Sequence, residues 1–530
     1  MRLYIYLFLM IILFSCEKKE FSNVADLEDT TSEIITITPD FNQVAVIGAK
    51  QPNPYRLENM QIAYENLSPE TRTGSTVTDI QATHKYVKFL PSCEADLIAL
   101  QKDESLFYYL YPLDHDVSDG RLDVDPNFSI NGFQHRWAYV PIDKDLSHID
   151  CPYEVLYTIV SPEDVSVRAT SLSTELLRAV EYESHRLCGM ELEMIAQTRA
   201  TRVTPSGRIT FWDETKGIQR GCKGMSVWAN RLTHESYGHC DEDGNFTCND
   251  SFLYKWTYHV YFSRTDFEIR KDDSTSEIVY KFSGYKSALN LDYGAGTNES
   301  YYASILRAAC RYYYFDIDGL RRPPMKSDNS AKLIIKAYVG SDPDGFAIGA
   351  YYTKDRWIFS DRPIVMVYRK GSTGVDRAHI DIYGTTIHEL THAVHWRMGK
   401  DTFDATSRLV KETLARGIQW YLTKDEDSTY FVDYYRQSYT GLIHDLVDGY
   451  KIRESSFYAS YVDDELSGWT GVNSANKSYY DHVDGYDIVD VENAVVGAKT
   501  WAEWQNNLLN NYSHADENYV SNAFAFWNSI

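Results

Sequence analysis

Positive charge is scarce in this chain. Its 52 lysines and arginines face 76 aspartates and glutamates, for a formal net charge of −24 at pH 7. Such a surface repels the phosphates of nucleic acid and the headgroups of anionic lipid, which excludes attachment to either by charge alone. Long apolar runs are also missing. Residues 3–14 form the one stretch almost without polarity, too short to span a bilayer as a permanent helix. Cysteine is sparse, with 8 in 530 residues. Beyond Cys16, the set Cys93, Cys151, Cys188, Cys222, Cys240, Cys248 and Cys310 is odd in number and widely spaced, unlike a small disulfide scaffold. There is no C-x-x-C pair. Cys222, Cys240 and Cys248 with His234 and His239 could be read as a second metal site, but without such a pair, buried thiols or one disulfide fit better. No internal repeat or low-complexity tract is visible. Tyrosine is abundant, at 42 residues, which suits strand-rich cores and binding surfaces but selects no ligand.

The N-terminus is the first informative segment. Arg2, the apolar residues 3–14 and then Ser15-Cys16 have the order of a secretory signal. The junction resembles a bacterial lipobox, although Phe14 is bulkier than the commonest residue there. That resemblance implies cleavage before Cys16, which then carries the fatty acyl groups, palmitate among them. An ordinary signal peptide with an incidental cysteine is the alternative. We read residues 1–15 as signal peptide and 16–32 as a lipidated tether. The expected location is the bacterial cell envelope, on the periplasmic or surface-exposed side of the outer membrane, with the lipid as the sole membrane contact.

Chemistry is concentrated in His388-Glu389-Leu390-Thr391-His392. Residues four apart on an α-helix lie about 6 Å along the axis and about 40° around it, so both imidazoles face one way. They can then grip one Zn²⁺ at tetrahedral angles. Glu389 follows the first histidine, placed to act as general base on a water at the metal. Ile387, Leu390 and Val394 form an apolar stripe beside the histidine face, and Gly399 is a C-terminal stop.

A catalytic zinc takes three protein ligands and keeps a fourth position open. Twenty residues beyond His392 comes Glu412, in a second helical pattern that opens near Thr406 or Ser407 and buries Leu409, Val410, Leu414, Ile418 and Tyr421. Ala415 and Gly417 are small enough for two helices to approach closely. H-E-x-x-H on one helix and E-x-x-A on the next resembles the gluzincin metallopeptidases. The resemblance implies that His388, His392 and Glu412 bind one catalytic Zn²⁺ and that Glu389 is the base. His395 shares the face but lies about 10.5 Å along the axis from His388, too far to share its metal. It reads as a surface histidine or one that supports the ligands. Asp401 and Asp404 remain as carboxylate alternatives outside a convincing helix. The metzincin pattern fails at His395 and Met398, where it needs glycine and histidine.

The rest of the chain reads as an α+β multidomain protein. Residues 33–199 form an α+β N-terminal region, with strands at 34–37, 44–47 and 86–90 and helical patterns at 172–180 and 188–195. His84, His115, His135, His148 and His185 are scattered through it without partners at ligand spacing. Residues 200–280 are compact strands and turns. Their order, with a "G-x-x-V" strand, an Asp241–Phe246 hairpin signal and a long strand at 254–262, resembles prealbumin-like β-sandwich modules found beside carboxypeptidases. Phe246 stands where a calcium loop needs glycine, so the acidic turn is not an EF-hand. Residues 281–530 form a mostly helical zincin-like domain with a small sheet at 332–339 and 363–368. Thr297 or Asn298 opens one helix, and Thr500 to Glu503 is a capping box for another.

The function implied is zinc-dependent hydrolysis of peptide bonds in a peptide or protein substrate. Tyr421, His444, Tyr458, Tyr461, Tyr479, Tyr480 and His482 are the downstream candidates for steadying the oxyanion. The alternative is a lipid-anchored glycan- or protein-binding surface protein with a degenerate zinc site. The N-terminal reading predicts that Cys16→Ala abolishes fatty-acyl labelling and releases the protein from membranes or leaves it unprocessed. A processed variant that stays on the membrane overturns it.

Overall fold

The computed structural model describes residues 43–67, 80–162, 174–190, 202–329, 331–341, 364–371, 373–430, 440–447, 483, 485–515 and 517–529. Cys16, the tether and the strand expected at 34–37 lie outside them. The fold is α+β, with helices gathered toward the C-terminus. No helix among the described residues is long and apolar enough to cross a membrane.

The N-terminal region is built on a three-stranded antiparallel sheet. Its middle strand β2 (His84–Phe89) lies between β7 (Arg136–Pro141) and β8 (Tyr153–Ile159). Val87 and Phe89 meet Ala138, Val140 and Leu100 of α2 (Glu94–Gln101) in a small core. Helices α1 (Leu57–Leu67) and α3 (Thr174–Leu187) pack together through Met60, Ala63, Leu177 and Val180. The chain leaves α3 at Cys188 and turns at Gly189, whose φ is +70°. The helix expected at 188–195 does not run through 188–190, because a residue in the left-handed region ends α3 there; 191–195 lie outside the described residues. Two short pairs complete the region: β1 (Ile47–Lys50) with β3 (His115–Val117), and β5 (Ser129–Ile130) with β6 (Phe133–Gln134).

Two sheets follow whose apolar faces share one core. One has the order β12 (His234–His239), β11 (Ser226–Arg231), β14 (Trp256–Tyr261), β16 (Val279–Tyr285) and β4 (Gly120–Arg121). In the other, β17 (Leu289–Tyr293) runs parallel along one edge of β9 (Ser206–Asp213), and β10 (Ile218–Gly221) and β13 (Asn245–Thr247) share its other edge. Strand alternation sends Ile209, Phe211, Val227, Ala229, Phe246, Tyr258 and Val260 into the shared core. The Asp241 turn forms, with Gly244 N–H donating to the Asp241 carbonyl at 3.1 Å and Gly244 at φ +87°. It does not close a hairpin. Strands β12 and β13 belong to different sheets, so the turn carries the chain from one to the other. A Cβ at Gly221 would lie 2.1 Å from the Gly244 nitrogen, and this close backbone approach permits the crossing. Strands also cross the boundaries expected at 200 and 280: β4 enters the first sheet, and β17 extends the second to Tyr293.

Strand β15 (Phe267–Lys271) leaves the sandwich and pairs in parallel with β18 (Leu333–Ser341), which pairs in parallel with β19 (Ile364–Lys370). Helix α4 (Asn298–Tyr314), capped by the Thr297 side chain, packs on this sheet and on α6 (His379–Met398). A short α5 (Lys326–Asn329) precedes β18. After α6 come α7 (Lys400–Ala405), α8 (Arg408–Thr423), α9 (Leu442–Val447), α10 (Ile488–Val495), α11 (Trp501–Asn511) and α12 (Glu517–Ser529). Ser407 caps α8, and Thr500 with Glu503 forms the capping box of α11. Trp504 and Leu508 point into the core.

A buried charge cluster joins sandwich and helices. Glu426, just past α8, accepts from Arg307 of α4 at 3.0 Å on each oxygen, and pairs with Arg220 of β10 at 2.7 Å and His379 of α6 at 2.9 Å. Arg307 also donates to the Gly221 carbonyl at 2.7 Å. Burial opposes charge on Glu426, but His379 and Arg307 outweigh it and hold the carboxyl well below its usual range. A depressed folded-state value adds stability that is present above the unfolded value, about 4.3, and is lost as pH falls below it. Glu426→Gln is therefore expected to cost on the order of 3 kcal/mol at pH 7, since it removes the carboxylate that Arg307, Arg220 and His379 share and leaves Arg307 with the largely exposed Glu242 as its carboxylate. It should also flatten the acid limb of the stability curve below about pH 4. Denaturant unfolding across pH tests both, and an unchanged acid limb would mean that the cluster is not held by charge.

Candidate metal centre

Helix α6 is buried nearly all round, so its polar residues must find partners within the protein. Ile387, Leu390 and Val394 are at most 1% exposed, the apolar stripe that the sequence indicates. Thr391 on another face meets the Tyr312 hydroxyl of α4 at 3.3 Å, which fixes the rotation of α6. His388 and His392 then face α8 with ring centroids 4.9 Å apart, edge to face. On α8, Val410, Leu414 and Ile418 are fully buried, while Leu409 and Tyr421 are half-buried. That packing turns Glu412 toward the histidines. Its Oε2 lies 3.2 Å from His388 Nε2 and 3.5 Å from His392 Nε2, while Oε1 lies 3.9 Å from Arg408.

His388, His392 and Glu412 form the one group of three or more His, Cys, Asp or Glu among the described residues whose donor atoms converge, all within 4.8 Å. The spacing fits zinc. Ligand atoms about 2.0–2.1 Å from a tetrahedral ion stand about 3.3 Å from each other, close to the two N–O distances here. Borderline-soft nitrogen with one carboxylate oxygen is also the donor set of catalytic rather than structural zinc.

The charge states agree. Burial pulls His388 down to about 4 despite the Glu412 contact, so it is neutral and able to ligate at pH 7. Glu412 is held far below its usual range; burial resists this, but the two imidazoles outweigh it. Burial also disfavours charge on His392, yet Glu412 and then Glu389 raise it. The cluster favours a cation. Glu389 is fully buried beside the ligand set and is not part of it.

A support network holds His388. Its Nδ1 lies 3.1 Å from Gln419 Oε1, which also accepts from Arg416 at 3.1 Å, while Gln419 Nε2 donates to the Tyr430 hydroxyl at 2.7 Å. The oxygen end of the amide therefore faces the ring, so Nδ1 carries the proton and the Nε2 lone pair is free for metal. Gly384, one turn before His388, makes room for the network. A Cβ there would lie 2.3 Å from the Tyr430 oxygen and 3.0 Å from Gln419 Nε2. None of these residues belongs to the ligand motif. Gln419 lies seven residues after Glu412 on the same helix face, and Gly384 four before His388, so helical spacing carried a signal for both. Tyr430 lies in a loop and carried none.

Other candidates do not converge. His395 is buried rather than at the surface, stacks edge to face on Phe403 at 5.1 Å, and is neutral because burial pulls it to about 3. Asp401 and Asp404 do lie in a helix, α7, but both are exposed and outside the ligand group. Tyr421 donates to Asp318 at 2.9 Å, and the His444 ring lies edge-on to Trp420 at 4.3 Å. Tyr458, Tyr461, Tyr479, Tyr480 and His482 lie outside the described residues. Cys222, Cys240 and Cys248 are free buried thiols, with no converging donor group among the described residues. No protein-family model matches this chain, and no curated protein matches it significantly.

The geometry predicts that Glu412→Ala lowers zinc occupancy of the purified protein, whereas His395→Ala leaves it nearly unchanged. Gly384→Ala, which ordinary helix propensity favours, should instead weaken zinc affinity by roughly 10–100-fold by displacing Gln419 and Tyr430. Zinc titration against a competing chelator measures all three. Tight binding by Gly384→Ala would remove the network from the account.

Proposed function

We propose that this protein is a zinc-dependent peptidase of the cell envelope, held to the membrane by lipid on Cys16. The reading rests chiefly on one observation. Glu412 Oε2 sits between the two imidazole nitrogens while Glu389, on the same helix as the histidines, is buried beside them and left out of the ligand set. His388, His392 and Glu412 would hold the zinc, which when bound would supply a Lewis acid able to polarise a carbonyl and lower the pKa of a water to about 7.

The chain's own residues do the rest. Glu389 accepts the proton of the attacking water and returns it to the leaving nitrogen. Its burial strengthens that role, because a carboxylate shielded from solvent meets little competition from bulk water. Gln419 and Tyr430 keep His388 in one tautomer and one rotamer, so the Nε2 donor stays aimed. A purely structural zinc site has no need of a base, and the intact Glu389 therefore supports hydrolysis over the glycan- or protein-binding reading. Release of peptides from a protein mixture, abolished by chelator and restored by zinc, distinguishes a peptidase from a zinc hydrolase of other substrates.

Glu389→Gln is expected to keep zinc and fold while losing peptide hydrolysis by about 10²-fold or more, since the positioned proton acceptor is gone. Zinc content, circular dichroism and turnover are measured on one sample. Full turnover by this variant would move the chemistry elsewhere.

A further inference from the structure

The outer face of the five-stranded sheet carries aromatic rings. Trp228 of β11 stacks on Tyr237 of β12 at 4.9 Å, and Tyr261 of β14 stands across from Ser226 in register. The segment 106–111 crosses this face. Its Phe107 lies 5.1 Å from Trp228 and 6.3 Å from Tyr261, and its Tyr111 hydroxyl lies 2.8 Å from His259 Nε2. Beside this crossing, between the sheet and the N-terminal region, is a cleft of about 510 Å³ with Arg136 in its wall. That volume is in the range of small-ligand sites and has room for a disaccharide-sized molecule.

Arg136 has an unusual charge environment. It is 8% exposed, and its one bonded nitrogen donates to the Gln134 carbonyl at 2.7 Å and the His135 carbonyl at 3.3 Å. No carboxylate among the described residues lies within ion-pair distance of it, although the charges of Glu277 and Glu268 act on it. Most acids of the cleft are committed elsewhere: Glu268 pairs with Arg270, Asp103 with Lys144 and His148 at 3.0 Å each, and Glu104 with Lys326. Glu277 is held more loosely, 3.9 Å from Lys332 through a buried Oε2 that makes no hydrogen bond among the described residues, and it acts on Arg136 from beyond ion-pair distance. Arg264, also in the wall, donates to the Gly224 carbonyl at 2.7 Å and lies over the Tyr314 ring, again without a carboxylate partner among the described residues. A buried guanidinium left without an anion is costly, and its planar fork suits a carboxylate.

We propose that this cleft binds an acidic sugar unit, with the carboxylate on Arg136 and the ring against the aromatic wall at Tyr237 and Tyr261. Hydroxyl-bearing neighbours favour a sugar over an apolar peptide side chain. Ser226, Ser263 and Thr265 line the same cleft, and so does Tyr108, whose buried hydroxyl has no hydrogen-bond partner among the described residues. Tyr237 is 43% exposed and can be reached by a ligand. The site is separate from the metal centre and does not depend on the peptidase reading.

Calorimetric titration of the purified full chain with digalacturonate and sialyllactose tests this, with galactobiose and lactose as uncharged counterparts and hippurate as a non-sugar carboxylate. At least one acidic sugar is expected to bind about 10-fold or more tightly than its neutral counterpart and than hippurate, and to lose about 10-fold in Arg136→Gln. Tyr237→Ala and Arg264→Gln should each weaken the same sugar severalfold while peptide hydrolysis stays unchanged. The proposal is overturned if neither acidic sugar binds, if the neutral sugar or hippurate binds equally well, or if all three variants bind as the parent does. Should Arg136→Gln fail to fold by circular dichroism, Tyr237→Ala and Arg264→Gln decide, and full binding by both overturns it.

Discussion

The relation between Arg307 and Glu426 organises the molecule. Arg307 is 3% exposed and Glu426 9%, and each has further partners in a different layer: Gly221 and Arg220 in the sandwich, His379 at the start of α6. Charges taken from water in this way hold their geometry only when every donor and acceptor is satisfied. The cluster thereby fixes the first turn of α6 against α4 and the end of α8 against both. The candidate metal ligands His388, His392 and Glu412 sit on those same two helices, α6 and α8. A shift of either helix by an ångström would spoil ligand distances that match a tetrahedral ion to a few tenths.

Burial also sets the chemistry at the other end of α6. His388, Glu389 and His392 are all within 9% of full burial, so their charge states follow from one another rather than from solvent. Burial disfavours protonated His388, while two carboxylates favour positive charge on His392. The carboxylates thus draw positive charge to the cluster, and a divalent ion held by these three ligands would supply it. The Gln419 amide completes the arrangement by settling which imidazole nitrogen carries hydrogen. Gly384 shows the cost of that arrangement, since a mid-helix glycine gives up stability to leave space for Tyr430.

Charge satisfied in one place and unsatisfied in another separates structural from receptive sites. Arg307 and Arg270 are buried and Arg231 is partly buried, and each meets a carboxylate, at 3.0, 2.7 and 2.7 Å. Arg136 is comparably buried and meets carbonyls alone. The aromatic cleft beside it lies at the contact of the N-terminal region with the sandwich, a place where ligand sites commonly form because neither layer fills the space between them.

Local signals determined much of this protein. The i, i+4 histidines and the apolar stripe specify α6, Ser407 starts α8, Thr297 starts α4, and Thr500 with Glu503 starts α11, because caps and periodicity act within one or two turns. The histidines' common face was legible for the same reason. Whether Glu412 meets them was not, because that depends on how α8 packs on α6, and the resemblance to known peptidases stood in for the missing geometry. The tertiary structure brought its oxygen to 3.2 and 3.5 Å. Nonlocal pairing also decided that the Asp241 turn crosses between sheets, that β15 leaves the sandwich to lie parallel to β18, and that β4 joins a sheet more than one hundred residues away in sequence. Strand pairing is a property of two segments at once, and no pattern within either one specifies its partner.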